Sequence, residues 1–139
     1  MWIHALSYLI FAIVFGLMDF VWLSTAVPKV YQPAIGSILA EKVGLAPAAL
    51  FYFTYVAGVV FFVLAPTVAA GDWKQAAVRG AAFGLVAYAT YDLTNQATLS
   101  LWPTRLTVID LSWGVAATAI ASTVTVLAAH RAAKALGWS

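Results

Sequence analysis

Residues 3–24, 46–70, 76–101 and 107–129 form four runs, each predominantly apolar and at least as long as the ~20 residues a helix needs to cross a bilayer. Hydrocarbon offers no water to solvate a peptide group, so segments of this length must satisfy their own hydrogen bonds as helices. The expected fold is therefore all-α: a polytopic membrane protein whose 139 residues form a single four-helix transmembrane domain. Composition leads to the same place. Apolar residues of the AVILMFWYC set make up 64% and charged residues 9%, with a mean hydropathy of +0.94. Soluble domains carry about 25% charged residues, and a small one leaves much of its surface in water. Disorder, nucleic-acid binding and ordinary cytosolic enzymology are excluded on those grounds.

The absence of cysteine removes disulfides, thiolate metal sites and thiol catalysis. The sequence pI of about 9.0 rests on seven basic residues against five acidic ones. They are scattered between apolar blocks, as flanks of membrane segments are. Lys74, Arg79, Arg131 and Lys134 fall on the side of the termini, and Lys29, Lys42 and Arg105 on the other. Both termini are accordingly expected in the cytoplasm, on a bias of one residue. The first run lacks a basic leader and carries Asp19, so it reads as a retained span, not a signal peptide.

Proline and glycine punctuate the runs. Pro47 suits a first helical turn, Pro66 should kink or stop the second helix, Pro103 breaks the chain after the third, and Gly71 with Asp72 makes the central turn. Between the first two spans, residues 33–44 place Ile35, Ile38, Leu39 and Val43 on one face, which predicts a short amphipathic helix in the interface plane.

Ionisable groups inside apolar spans are costly and mark candidate sites. Asp19, Asp92 and Asp110 all lie toward the side opposite the termini. On the third helix Tyr88, Tyr91, Asp92 and Asn95 recur at helical spacing, so Asn95 could hydrogen-bond Asp92. Gly80 and Gly84 upstream, Gly16 beside Asp19, and the small residues from Gly114 to Thr125 predict close helix neighbours. Thr107 and Asp110 have the spacing of a capping box, a structural role that competes with a functional one. Arg105 is open to pairing with Asp110, with Asp92 or with lipid phosphate, and Trp113 is placed as an apolar wall. Trp2, Trp73 and Trp138 on one side and Trp22, Trp102 and Trp113 on the other form interfacial belts. His4 and His130 have no companion carboxylate and make a poor metal site, and no cofactor is implied.

Three stretches of the chain carry a resemblance: residues 88–95 with Tyr88, Tyr91, Asp92 and Asn95; Trp102-Pro103; and residues 110–114 with Asp110, Trp113 and Gly114. Together with Asp19 and Trp22, Phe51-Tyr52, and Tyr55 and Gly58, the sequence resembles a bacterial family of small four-span predicted membrane proteins, domain of unknown function 2177. The resemblance implies a multi-pass protein of the bacterial inner membrane and no particular activity.

The leading functional expectation is a polar pocket opening to the outer side and binding a small or lipid-derived ligand. Asp19, Tyr88, Tyr91, Asp92, Asn95, Arg105, Asp110 and Trp113 would form it, with no catalytic or metal-binding residue. The alternatives are a proton- or cation-coupled transporter, which at four helices would need a homo-oligomer, an assembly factor for a larger membrane complex, and a lipid-modifying enzyme that no nucleophile motif supports. Phe15, Gly16 and Leu17 recur as Phe83, Gly84 and Leu85, but that alignment does not superpose Asp19 on Asp92, so no transporter-style repeat is read. The bilayer is the expected partner and nucleic acid is not.

Overall fold

A computed structural model describes residues 2–137, every secondary-structure element of which is helical. The long elements are α1 (Trp2–Ala26), α3 (Leu45–Val59), α4 (Trp73–Thr98) and α5 (Thr104–Ala135). A five-residue π-helical turn, Val27–Tyr31, carries α1 without a break into the short α2 (Gln32–Ile35) and a 3-10 turn, Gly36–Ile38. A second π-helical turn, Val60–Leu64, extends α3 and ends just ahead of Pro66, whose ring disfavours helix at the residue before it. Trp2–Ile38, Leu45–Leu64 and Thr104–Ala135 are long and apolar enough to cross a membrane. Trp138, assigned to an interfacial belt above, lies outside the described residues.

The interfacial segment differs from expectation. Helix covers residues 32–38, and Leu39–Gly44 is not helical. Ile35 leaves α-geometry at φ −136°, and the helix continued from α1 tightens into the 3-10 turn and ends there. Its apolar face is also divided. Ile35 packs on Trp102 and Leu106, while Ile38 and Leu39 are exposed.

α5 is the pillar of the bundle. Its stripe of Gly114, Ala117, Thr118, Ala121, Ser122 and Thr125 is buried, and α4 lies against it. The glycines expected to admit a close neighbour do so here. A Cβ on Gly84 would stand 2.2 Å from the Gly114 carbonyl oxygen, and one on Gly80 2.8 Å from the Thr118 carbonyl oxygen. Phe11, Phe15 and Tyr55 stack in series beneath, with centroids 5.4 and 5.1 Å apart. Gly16 has no such neighbour: nothing lies within 4 Å of its would-be Cβ, and it faces a groove between α1 and α3 instead.

The outside is apolar. Leu9, Phe20, Phe53, Phe61, Val78 and Val86 are all exposed, a belt suited to lipid and too extensive for water. Hydroxyls on the helices are satisfied locally. Ser24, Thr90, Thr98, Ser112 and Thr123 each donate to the carbonyl four residues back, which removes the cost of carrying them into hydrocarbon.

The turn into α4 depends on Gly71, at φ +66°, with the Asp72 carboxylate accepting from the Gln75 N–H at 3.0 Å. A Cβ at Gly71 would also meet the His130 ring at 2.8 Å, where His130 Nδ1 sits 3.2 Å from the Val68 carbonyl oxygen. Gly71→Ala should cost about 1–2 kcal/mol from backbone strain alone, read as a lowered unfolding midpoint in detergent. An unchanged midpoint would show that the turn relaxes freely.

Candidate functional site: a buried carboxyl centre

Three helices each deliver one carboxyl to the same end of the bundle: Asp19 from α1, Asp92 from α4 and Asp110 from α5, all at or below 6% exposure. Their surroundings differ. Asp19 is held on both oxygens, by the Tyr52 phenol donating to Oδ2 and by the Trp113 indole N–H donating to Oδ1 at 3.2 Å. Asp110 accepts from the phenol of Tyr31. Asp92 is wholly buried, and among the described residues no N–H or hydroxyl donor reaches either of its oxygens. The Asp110 carboxyl is its close neighbour.

Aromatic side chains close the space around these acids. Trp22 and Trp113 stack face to face, 4.5 Å between centroids and 5° from parallel. The Trp22 indole N–H is buried without an acceptor among the described residues. Tyr88 lies against the backbone of α5, where a Cβ at Gly114 would come within 2.3 Å of its ring. That glycine is what allows α4 to bring Asp92 up to Asp110. Beyond them a polar chain fastens the two helix ends together. The Trp102 indole N–H donates to the Thr107 hydroxyl at 3.0 Å, Thr107 donates to Gln96 Oε1 at 2.7 Å, and Gln96 Nε2 donates to the Thr104 hydroxyl at 2.9 Å.

A model of the family described as "Predicted membrane protein (DUF2177)" matches residues 4–127. The chain belongs to this family of predicted membrane proteins. No curated protein and no solved structure matches it. All three aspartates and each of their tyrosine and tryptophan partners lie within the matched residues.

Of the eight residues selected from the sequence of this family member, the fold gathers five: Asp19, Tyr88, Asp92, Asp110 and Trp113. The others are placed elsewhere. Tyr91 is 55% exposed and meets Trp102 edge-on at 5.6 Å, because its position on α4 turns it away from α5. Asn95 is half-buried and makes no hydrogen bond to Asp92; it lies beside Tyr91. Arg105 is exposed at the first turn of α5 and pairs with neither aspartate. Trp113 serves as a donor as well as a wall. Thr107 does not cap α5, since the helix already begins at Thr104 and the Thr107 hydroxyl is committed to Gln96.

Sequence reasoning missed the donors. Tyr31 was not singled out and Tyr52 appeared only within the resemblance; Trp22, which stacks on Trp113, was named only in an interfacial belt and the resemblance. Tyr52 had one available signal, a phenol in an otherwise apolar span that needs an acceptor when buried. Among the described residues no three His, Cys, Asp or Glu side chains are grouped so as to hold a metal ion.

Proposed function

We propose that this is a four-span integral membrane protein whose carboxyl centre holds protons and exchanges them for a small amphipathic cation entering from the bilayer. The observation that carries the reading is Asp92, wholly buried with no donor on either oxygen and Asp110 beside it. Two neighbouring buried carboxyls, one of them without any donor, favour a positive partner beside them. Among the described residues no cation pairs with Asp92, which leaves that role to a proton or a charged ligand. Stacked indoles and phenols suit an organic cation, which aromatic faces attract.

The groove between α1 and α3 supports lateral entry. It holds about 510 Å³ and is lined by Ala12, Gly16, Phe20, Ala49, Tyr52 and Val56, among others. Tyr52 is at once part of its wall and a donor to Asp19. A ligand dissolved in the bilayer could thus approach the acids by displacing one phenol.

The test uses tetraphenylphosphonium and the protein in lipid nanodiscs, by calorimetry in buffers of different ionisation enthalpy. Binding should release protons and tighten as pH rises, since protons compete for the same carboxyls. Asp92→Asn should weaken it by about tenfold or more, the loss of one buried charged contact, and abolish proton release. Binding that ignores pH, or is equal in the variant, would reject the reading.

The fourth span in this proposal is α4. At 26 residues it is ~39 Å long on a rise of 1.5 Å per residue, enough to cross. Its polar groups lower its hydropathy, yet Asp92, Gly80 and Gly84 are turned toward α5 and not toward lipid. Four spans put both termini on one side, the cytoplasmic one by the basic residues. A reporter active only outside the membrane, fused after Ser139, should be silent, and a signal there would reverse the orientation.

A further inference from the structure

A different constellation lies away from the carboxyl centre, where the π-helical turn after α1 meets the start of α5. A cleft of about 290 Å³ there is lined by Lys29, Val30, Pro33, Pro103, Arg105 and Leu106. Its charged groups are two exposed cations from separate elements, and its floor is apolar. Among the described residues no carboxylate forms an ion pair with either cation. The nearby Asp110 is buried and engaged by Tyr31.

A third source of positive potential joins them. α5 runs for 32 residues from Thr104, and its N-cap residue Pro103 supplies no side-chain cap to the first-turn amides. The Leu106 N–H is taken by the Pro103 carbonyl at 2.9 Å, but the positive end of the helix dipole lies at the cleft, where Arg105 occupies the first turn. Pro33, Pro103 and Leu106 keep part of the cleft dry, which strengthens attraction to an anion. The planar fork of an arginine beside the point charge of a lysine matches an oxyanion with several acceptor oxygens. The volume is near the lower bound of ligand sites, about 300 Å³, which suits a headgroup and not a whole lipid.

We propose that this cleft binds a phosphate group, held between Lys29, Arg105 and the amino end of α5 and supplied by an anionic lipid headgroup or as free phosphate. It stands independently of the cation-exchange reading, because it uses none of the three aspartates.

Native mass spectrometry of the full chain in mild detergent, titrated with phosphatidylglycerol, phosphatidylcholine or inorganic phosphate, tests it. The wild type should hold phosphatidylglycerol about tenfold or more tighter than the Lys29→Gln/Arg105→Gln variant, given the usual contribution of two basic residues at a lipid surface. Lys29→Arg should keep the binding, and Arg79→Gln should leave it unchanged. Preference for phosphatidylglycerol over phosphatidylcholine that falls in the double variant supports the site and makes lipid the source. Binding of inorganic phosphate that falls in the variant, with no preference between the lipids, supports it and makes free phosphate the source. Equal binding of every probe by wild type and double variant overturns it. Circular dichroism fixes the fold of each variant, and the single variant Arg105→Gln, at an exposed position, gives the same decision should the double variant not fold.

Discussion

Gly84→Ala should destabilise the protein by about 3 kcal/mol or more, while Gly16→Ala should leave it unchanged or stabilise it by about 0.5–1 kcal/mol. Both are the same chemical change in a long helix, and the contrast follows from what each new methyl meets. At Gly84 it meets the Gly114 carbonyl at 2.2 Å and the Thr118 hydroxyl at 2.8 Å. A backbone group cannot rotate aside as a side chain can, so α4 must move off α5. That displacement would also draw Tyr88 from Gly114 and Asp92 from Asp110. At Gly16 the methyl meets open groove, and what remains is the better helix propensity of alanine. Unfolding in detergent by a denaturant series reads both. Equal midpoints for the two variants would mean that α4 and α5 do not pack as closely as their glycines permit.

The second large effect is expected at Asp92, and it depends on what replaces the carboxyl. Asp92→Asn keeps the shape and gains an amide donor for Asp110, so its stability should stay within about 1 kcal/mol of wild type. Asp92→Leu leaves Asp110 facing a hydrocarbon side chain and should cost about 1–3 kcal/mol, the penalty for an unsatisfied buried polar group. Adding Asp110→Asn to each variant closes a double-mutant cycle, in which contacting carboxyls should couple by about 0.5–3 kcal/mol. Arg105→Gln should be additive with all of them, since Arg105 is exposed and lies in another cleft. A large loss in Asp92→Asn that Arg105→Gln reproduces, without further loss in the double variant, would instead reveal an ion pair.

The acids were readable in the sequence because a charge inside an apolar run stands out regardless of geometry. The Gly80 and Gly84 pair was readable for a related reason: its spacing matches the helix repeat, so both glycines fall on one side. Which of its three open partners Arg105 meets was not, because proximity in sequence to Asp110 says little once a helix carries the two a turn and a half apart. Residues 33–44 misled through their apolar spacing. Periodicity does not reveal that Ile35 would find Trp102 and Leu106 to pack on, ending the face that Ile38 and Leu39 were expected to continue. Tyr91 shared a helical stripe with Asp92 in projection, yet the stripe is wider than the line of contact with α5, and Tyr91 falls outside it.

Tyr31 was lost to the sequence for a more specific reason, the π-helical turn at Val27–Tyr31. On an unbroken α-helix Tyr31 would point about 120° away from Asp19, at 100° per residue. Such a turn accommodates one extra residue, which takes back about 100° and leaves the two side chains about 20° apart. The turn is thus a phase correction: it brings the Tyr31 phenol round to the α5 side of the bundle, where Asp110 accepts its hydrogen bond. Converting the turn to α-geometry at constant length would swing Tyr31 out toward lipid, whereas deleting one residue between Val27 and Tyr31 would remove the turn and leave the phenol facing Asp110. The angular setting of the hydroxyl on Asp110 is therefore held by the geometry of this one turn, which absorbs the extra residue without passing its rotation on to the chain beyond.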